Sequence, residues 1–163
     1  NHDLWMRDYF QKELGVTVHH HPITLTVGAS RFLIGHGDGL GPGDKGYKRM
    51  EKLFTNPISK RLFRWLHPDW GVRLWQYLSR KNKLISGEED VKFLGEDKEW
   101  LVAYSKKKLQ EEHFDYFVFG HRHLPLEINL SEKSQYINLG DWITHNTYAE
   151  YDGKHLILKN WKK

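Results

Sequence analysis

Large apolar residues recur at helical spacing in residues 3–15, at Leu4, Trp5, Tyr9 and Leu14, and Gly15 supplies a stop. The pattern then shortens. Residues 17–38 read as short strands, with Gly28-Ala29-Ser30-Arg31 as a tight hairpin turn and His19–His21 as strand-end surface before Pro22. A glycine-rich loop over 39–46 precedes three probable helices that mix basic and large apolar residues: 47–54, 58–66 after Asn56-Pro57, and 70–81 after His67-Pro68. Residues 84–96 look irregular. Over 97–113, Trp100, Leu101, Tyr104 and Leu109 make an apolar stripe behind Asp97, which reads as the helix cap. The remainder reads as strand at 115–119, 126–130, 136–142, 147–152 and 155–160. The order is α/β at first and mostly β later, with a helical insertion in the middle and no repeat.

Composition narrows this picture. The 163 residues suffice for one domain with a real core, and 39% apolar content with abundant aromatics argues against disorder. No cysteine is present, which excludes disulfides and cysteine-ligated zinc. No apolar run approaches the ~18 residues of a membrane-spanning helix. The net charge of +4 is unevenly placed: residues 45–83 hold eleven Lys/Arg against Glu51 and Asp69, net +9, so the rest of the chain is net −5. That segment suits an anionic counterpart such as phosphate, nucleic acid or an acidic membrane surface, although a solvated basic face has the same composition.

Three elements carry chemistry: Asn1-His2-Asp3, Gly35-His36-Gly37-Asp38 and Gly120-His121-Arg122-His123. The last two each follow an apolar strand, at 32–34 and 116–119. Strand ends are where α/β folds hold ligands, and neutral imidazole is the commonest metal ligand. A His-x-His pair on an extended loop end can serve two ions ~3.5–4 Å apart, the spacing of two-metal phosphoester hydrolases. Each element is weak alone; their order and strand context make them specific together.

That order resembles the second half of the calcineurin-like metallophosphoesterase superfamily, whose motifs run G-N-H-[DE], a middle histidine after a strand, and G-H-x-H. Its earlier D-x-H and G-D-x-x-D motifs have no counterpart here, so the resemblance implies an N-terminally incomplete domain lacking roughly a third, with little turnover expected from these residues alone. The stretch 35–66 and the Leu139-Gly140-Asp141-Trp142 run are similar to the UDP-2,3-diacylglucosamine hydrolases of lipid A synthesis. The resemblance implies an αββα sandwich spanning 1–163 with a helical lid inserted at 45–95. It implies that Asn1, His36 and His121 ligate one divalent ion and His123 the other, both manganese, with zinc or iron also suited to such donors. Asp38 would orient the loop or a histidine. His2 would stabilise phosphoryl charge or protonate a leaving oxygen, although much of the lipid hydrolase family has arginine there. Asp44 and Tyr47 match polar positions that contact the sugar or organise the lid. Arg80, Lys81 and Lys83 stand as phosphate contacts.

The implied reaction cleaves UDP-2,3-diacylglucosamine at its α-phosphorus to UMP and 2,3-diacylglucosamine 1-phosphate, on the cytoplasmic side of a bacterial inner membrane. Apolar lid residues would bury acyl chains, and lid cations would approach an anionic membrane surface. The simplest reading of Trp65, Trp70 and Trp75 is packing between the helices, some also meeting lipid. Two other readings compete: a metallophosphoesterase for cyclic nucleotides or nucleic acid, and an inactive fragment or binding module with half a metal site. The cluster Leu62, Phe63, Trp65, Leu66 disfavours a nucleic-acid groove, which would separate its aromatics with polar residues. Unpaired sheet edges would favour a homo-oligomer.

Overall fold

The computed structural model describes residues 8–42, 45–86, 92–93 and 95–161, with the backbone alone for 45–47 and 78–86. The chain divides into two compact units, residues 1–18 with 45–91 and residues 19–44 with 92–163.

The first unit is helical: α1 (Tyr9–Leu14), α2 (Lys45–Thr55), α3 (Pro57–Phe63) and α4 (Pro68–Ser86). The punctuation read from sequence is physical. Asn56 caps α3 by accepting from the Ile58 N–H at 2.8 Å and the Ser59 N–H at 3.4 Å, and Pro57 fills the first helical position, where no N–H is needed. His67 Nδ1 accepts from the Asp69 N–H at 3.3 Å at the start of α4. Helix-to-helix packing is thin. Gly71 is buried against the Phe63 ring, and Phe54 meets Trp75 edge-on at 6.1 Å. Trp75 thus packs between helices as expected, whereas Trp65 and Trp70 do not. Trp65 is 85% exposed and Trp70 65%, and Leu53, Ile58, Leu62 and Tyr77 are exposed with them. These helices are amphipathic, and among the described residues much of their apolar surface is exposed.

The second unit is a mixed five-stranded sheet, ordered β1-β2-β3-β5-β4, of β1 (Ile23–Val27), β2 (Ser30–Ile34), β3 (Tyr116–Phe119), β4 (Pro125–Ser131) and β5 (Ser134–Leu139). Strands β2, β3 and β5 run parallel; β1 pairs antiparallel with β2, and β4 with β5. Alternation assigns the faces. Leu33, Phe117, Phe119 and Tyr136 join a core with Leu101 and Val102 of α5 (Trp100–Glu111). Phe32, Val118 and Ile137 pack instead against Leu156 and Ala149 of the β6 (Thr147–Tyr151) and β7 (Leu156–Asn160) hairpin. Covering on both faces explains the near-continuous apolar sequences of β2 and β3. The Tyr151 hydroxyl donates to Ser30 Oγ at 2.8 Å, tying the hairpin to the sheet.

One boundary differs from expectation. Asp97 does not cap α5: Glu96–Lys98 form a 3₁₀ turn, and Glu99 stands at the N-cap position without a side-chain capping bond. The Glu99 carboxylate is engaged elsewhere, with Arg122.

Candidate metal centre

The parallel pairing of β2 and β3 continues beyond both strands. The Gly35 N–H donates to the Val118 carbonyl at 3.1 Å, and the Gly120 N–H donates to the His36 carbonyl at 2.9 Å. The two chains therefore leave the sheet side by side at their C-terminal ends. The His36 and His121 rings, 85 positions apart in sequence, come to 5.2 Å between centroids at 76°. Gly37 permits this exit. Its φ is +113°, and a Cβ there would sit 2.9 Å from Leu101 Cδ1.

The turn after β3 is unusual backbone. His121 (φ 64°) and His123 (φ 52°) both lie in the left-handed region, at a cost of about 1–3 kcal/mol each unless the surroundings impose it. The surroundings do. Arg122, between them, is 2% exposed and Glu99 1%. Arg122 Nε and Nη2 donate to Glu99 Oε2 and Oε1 at 3.0 and 2.8 Å, and Nη2 also donates to the Lys92 carbonyl at 3.2 Å. The guanidinium lies 4.9 Å from the Trp100 ring centroid. Asn138 holds the other end, its Nδ2 donating to the Gly120 carbonyl at 2.5 Å and its Oδ1 accepting from the Gly140 N–H at 3.2 Å. Arg122 turns inward while His121 is half-buried and His123 exposed. Sequence reading took the histidines and passed over Arg122, Glu99 and Asn138. An arginine three positions past an apolar strand, with an acid at the head of a helix, was the available signal.

Electrostatics favour neutral imidazole here. His36 keeps an exposed surface, yet the protein packed around its ring disfavours the charged form. His121 and His123 add repulsion and Asp38 partly opposes, leaving the His36 pKa well below its ordinary 6.5. A neutral ring keeps a lone pair for a metal. The Trp100 ring lies 6.4 Å from that of His121, and its buried indole N–H finds no acceptor among the described residues. No three His, Cys, Asp or Glu side chains among the described residues converge on one point. The donor chemistry of the two adjoining imidazoles, His36 and His121, suits a divalent ion only as part of a larger donor set. Two concavities lie elsewhere, one lined by Pro22, Thr24, Leu33, Tyr104 and Phe114, the other by Ser30, Asp115 and Gln135 at the opposite strand ends.

No protein-family model matches the chain. Curated proteins do. A UDP-2,3-diacylglucosamine hydrolase of Porphyromonas gingivalis is 37% identical over 98% of the chain. One of Pseudomonas putida is 30% identical over 98%, and one of Neisseria meningitidis 28% identical over 91%. The chain belongs to the UDP-2,3-diacylglucosamine hydrolase family. It spans 66% of the length of the first two relatives and 59% of the third.

Of the residues that the hydrolase pattern assigns, His36 and His121 are brought into contact, and Asp38 and His123 act on His36 electrostatically. Asn1, His2 and Asp44 lie outside the described residues, as do the side chains of Tyr47, Arg80, Lys81 and Lys83. The Leu139-Gly140-Asp141-Trp142 run has a structural role that pattern matching does not reveal. Gly140 (φ +73°) leaves no room for a Cβ, which would meet Thr147 Oγ1 at 2.6 Å. Asp141 closes the following turn, accepting from the backbone N–H groups of Ile143 and Thr144 and facing His145 Nδ1 at 3.1 Å.

These bonds, led by the Thr144 N–H, lower the Asp141 pKa from 3.8 to about 2. A depressed carboxyl stabilises the fold above its unfolded value and loses that stabilisation as pH falls through the folded one. Urea unfolding between about pH 4 and about pH 2 should therefore weaken more steeply for wild type than for Asp141→Asn. Parallel pH profiles for the two would show that the turn does not depend on the ionised form.

Proposed function

We propose that the polypeptide carrying this chain hydrolyses the pyrophosphate of UDP-2,3-diacylglucosamine, releasing UMP and 2,3-diacylglucosamine 1-phosphate for lipid A synthesis. The observation that carries this reading is the contact of His36 with His121 at the ends of two adjacent parallel strands. Its support comes from relatives named as UDP-2,3-diacylglucosamine hydrolases.

Two divalent ions, manganese foremost, would be held in part by Asn1, His36 and His121, and by His123. When bound, they would supply Lewis-acid activation of water and neutralise phosphoryl charge. The chain's own residues do the positioning. Neutral His36 offers its lone pair, Asp38 moderates the charge beside it, and His2 would stabilise the phosphoryl oxygens or protonate the departing one. Arg80, Lys81 and Lys83 would hold phosphate, with Asp44 and Tyr47 on the sugar side.

The helical segment 45–95, as a lid insertion, fits a lipid substrate. Its Ile58, Leu62, Trp65 and Trp70 expose apolar surface, and acyl burial contributes ~0.8 kcal/mol per CH₂. The same helices expose Lys52, Arg61, Arg64 and Arg73, which suits an anionic membrane surface. Among the described residues no helix is long and apolar enough to cross a membrane. The contact proposed is peripheral, on the cytoplasmic leaflet.

Turnover of UDP-2,3-diacylglucosamine by the full-length protein, set against cyclic nucleotides and single-stranded DNA, tests the substrate. Hydrolysis of the lipid nucleotide alone is expected; hydrolysis confined to the others would reject it. Replacing Trp65 and Trp70 together by Ser should raise KM roughly tenfold with an unchanged melting temperature, because both side chains are exposed. An unchanged KM would remove these rings from acyl binding.

A further inference from the structure

We propose that Arg122, Glu99 and Asn138 form a positioning clamp that sets the conformation of the Gly120–His123 turn, and with it the donor geometry of His121 and His123. The proposal rests on reading these two histidines as metal ligands. Its tests separate that reading from the clamp.

The backbone poses the problem. Two non-glycine residues separated by one position both adopt positive φ, a combination that L-residues avoid unless held. The His-x-His sequence contains nothing that enforces it. Contacts from outside do, and they grip the turn at two points. The Gly120 carbonyl accepts both from the Arg122 N–H at 2.7 Å and from Asn138 Nδ2 at 2.5 Å, which fastens the turn to β5. The Arg122 side chain is fastened to the opposite element. It forks onto Glu99, reaches the Lys92 carbonyl and lies against Trp100.

Glu99 is itself fixed. Its carbonyl accepts the Ala103 N–H at 3.0 Å and its N–H donates to the Glu96 carbonyl at 3.2 Å, so it belongs to the root of α5. With residue 122 drawn inward and residue 120 pinned, residues 121 and 123 have little freedom left.

The choice of a buried ion pair is informative. Such a pair adds little stability over an apolar pair of similar volume, because desolvating both charges offsets their attraction. What it adds is orientation. A planar fork on a carboxylate fixes direction as well as distance, which a lysine ammonium does not. The pair also lies nearly out of solvent, so it is not a surface contact that substrate or metal would make directly. Arg122 and Glu99 are therefore positioning residues that act through the histidines beside Arg122.

The test uses the full-length protein and two variants. Arg122→Met with Glu99→Leu removes both charges at similar volume, and Arg122→Lys keeps the charge balance but loses the fork. Metal-free protein is read first, by amide hydrogen exchange at 121–123 together with thermal melting. Both variants are expected to exchange at least about tenfold faster there, with the melting transition retained. Manganese affinity, titrated with the metal alone, is expected to fall about 10–100-fold. The value of kcat is expected to fall with KM little changed, and to recover partly when manganese is raised.

Wild-type exchange and wild-type manganese affinity in Arg122→Lys would overturn the clamp, even if the double variant failed to fold. His121→Ala serves as control. If it retains wild-type manganese affinity, the ligand reading has failed, while the exchange result in metal-free protein still decides whether the clamp holds the turn.

Discussion

His121→Ala and His123→Ala should each lower turnover of the metal-loaded, full-length protein by several orders of magnitude. Each removes one imidazole from the proposed two-ion site. His121 stands beside His36, so its loss takes half of the ring contact at the strand ends. His123 is exposed, so its loss costs little packing. Alanine at positive φ bears a penalty similar to that of histidine, so neither change relaxes the turn. The large fall in kcat should therefore come without a comparable fall in thermal stability. Steady-state kinetics with calorimetry on the same preparations check this. A variant with wild-type turnover would remove its histidine from the site.

Glu99→Ala should have the largest effect on stability. It takes away the carboxylate on which the buried Arg122 guanidinium forks. Removing one member of a buried pair costs about 3–5 kcal/mol, which in a protein of this size lowers the melting temperature by roughly 10–20 °C. Arg122→Met with Glu99→Leu should melt much closer to wild type although it changes more atoms, because both charges of the pair leave together. Differential scanning calorimetry distinguishes the two. If Glu99→Ala melted like wild type, the carboxylate would not be compensating Arg122.

Strands β2 and β3 were legible in the sequence because they are covered on both faces. The apolar stretches at 32–34 and 116–119 are visible without a partner, and the histidines after them follow from position alone. The start of α5 was not legible. Asp97 has the chemistry of a cap, but a 3₁₀ turn and the engagement of Glu99 with Arg122 move the helix start to Trp100. Arg122 reads locally as a surface charge. Its burial depends on Glu99, 23 positions upstream, and Asn138 reaches Gly120 across 18 positions. Periodicity reports one residue's neighbours along its own element and cannot see such pairs. The tryptophans erred in the opposite direction. Their spacing on helices suggests packing, which Trp75 shows against Phe54, but basic residues interleave with them, and Trp65 and Trp70 remain exposed.

The most direct test is hydrolysis of UDP-2,3-diacylglucosamine in ¹⁸O-labelled water by the full-length protein, with and without manganese, followed by mass spectrometry of both products. Manganese-dependent release of UMP carrying the label, with unlabelled 2,3-diacylglucosamine 1-phosphate, is the predicted result. Label in the lipid phosphate, or no UMP with any divalent ion supplied, would contradict it.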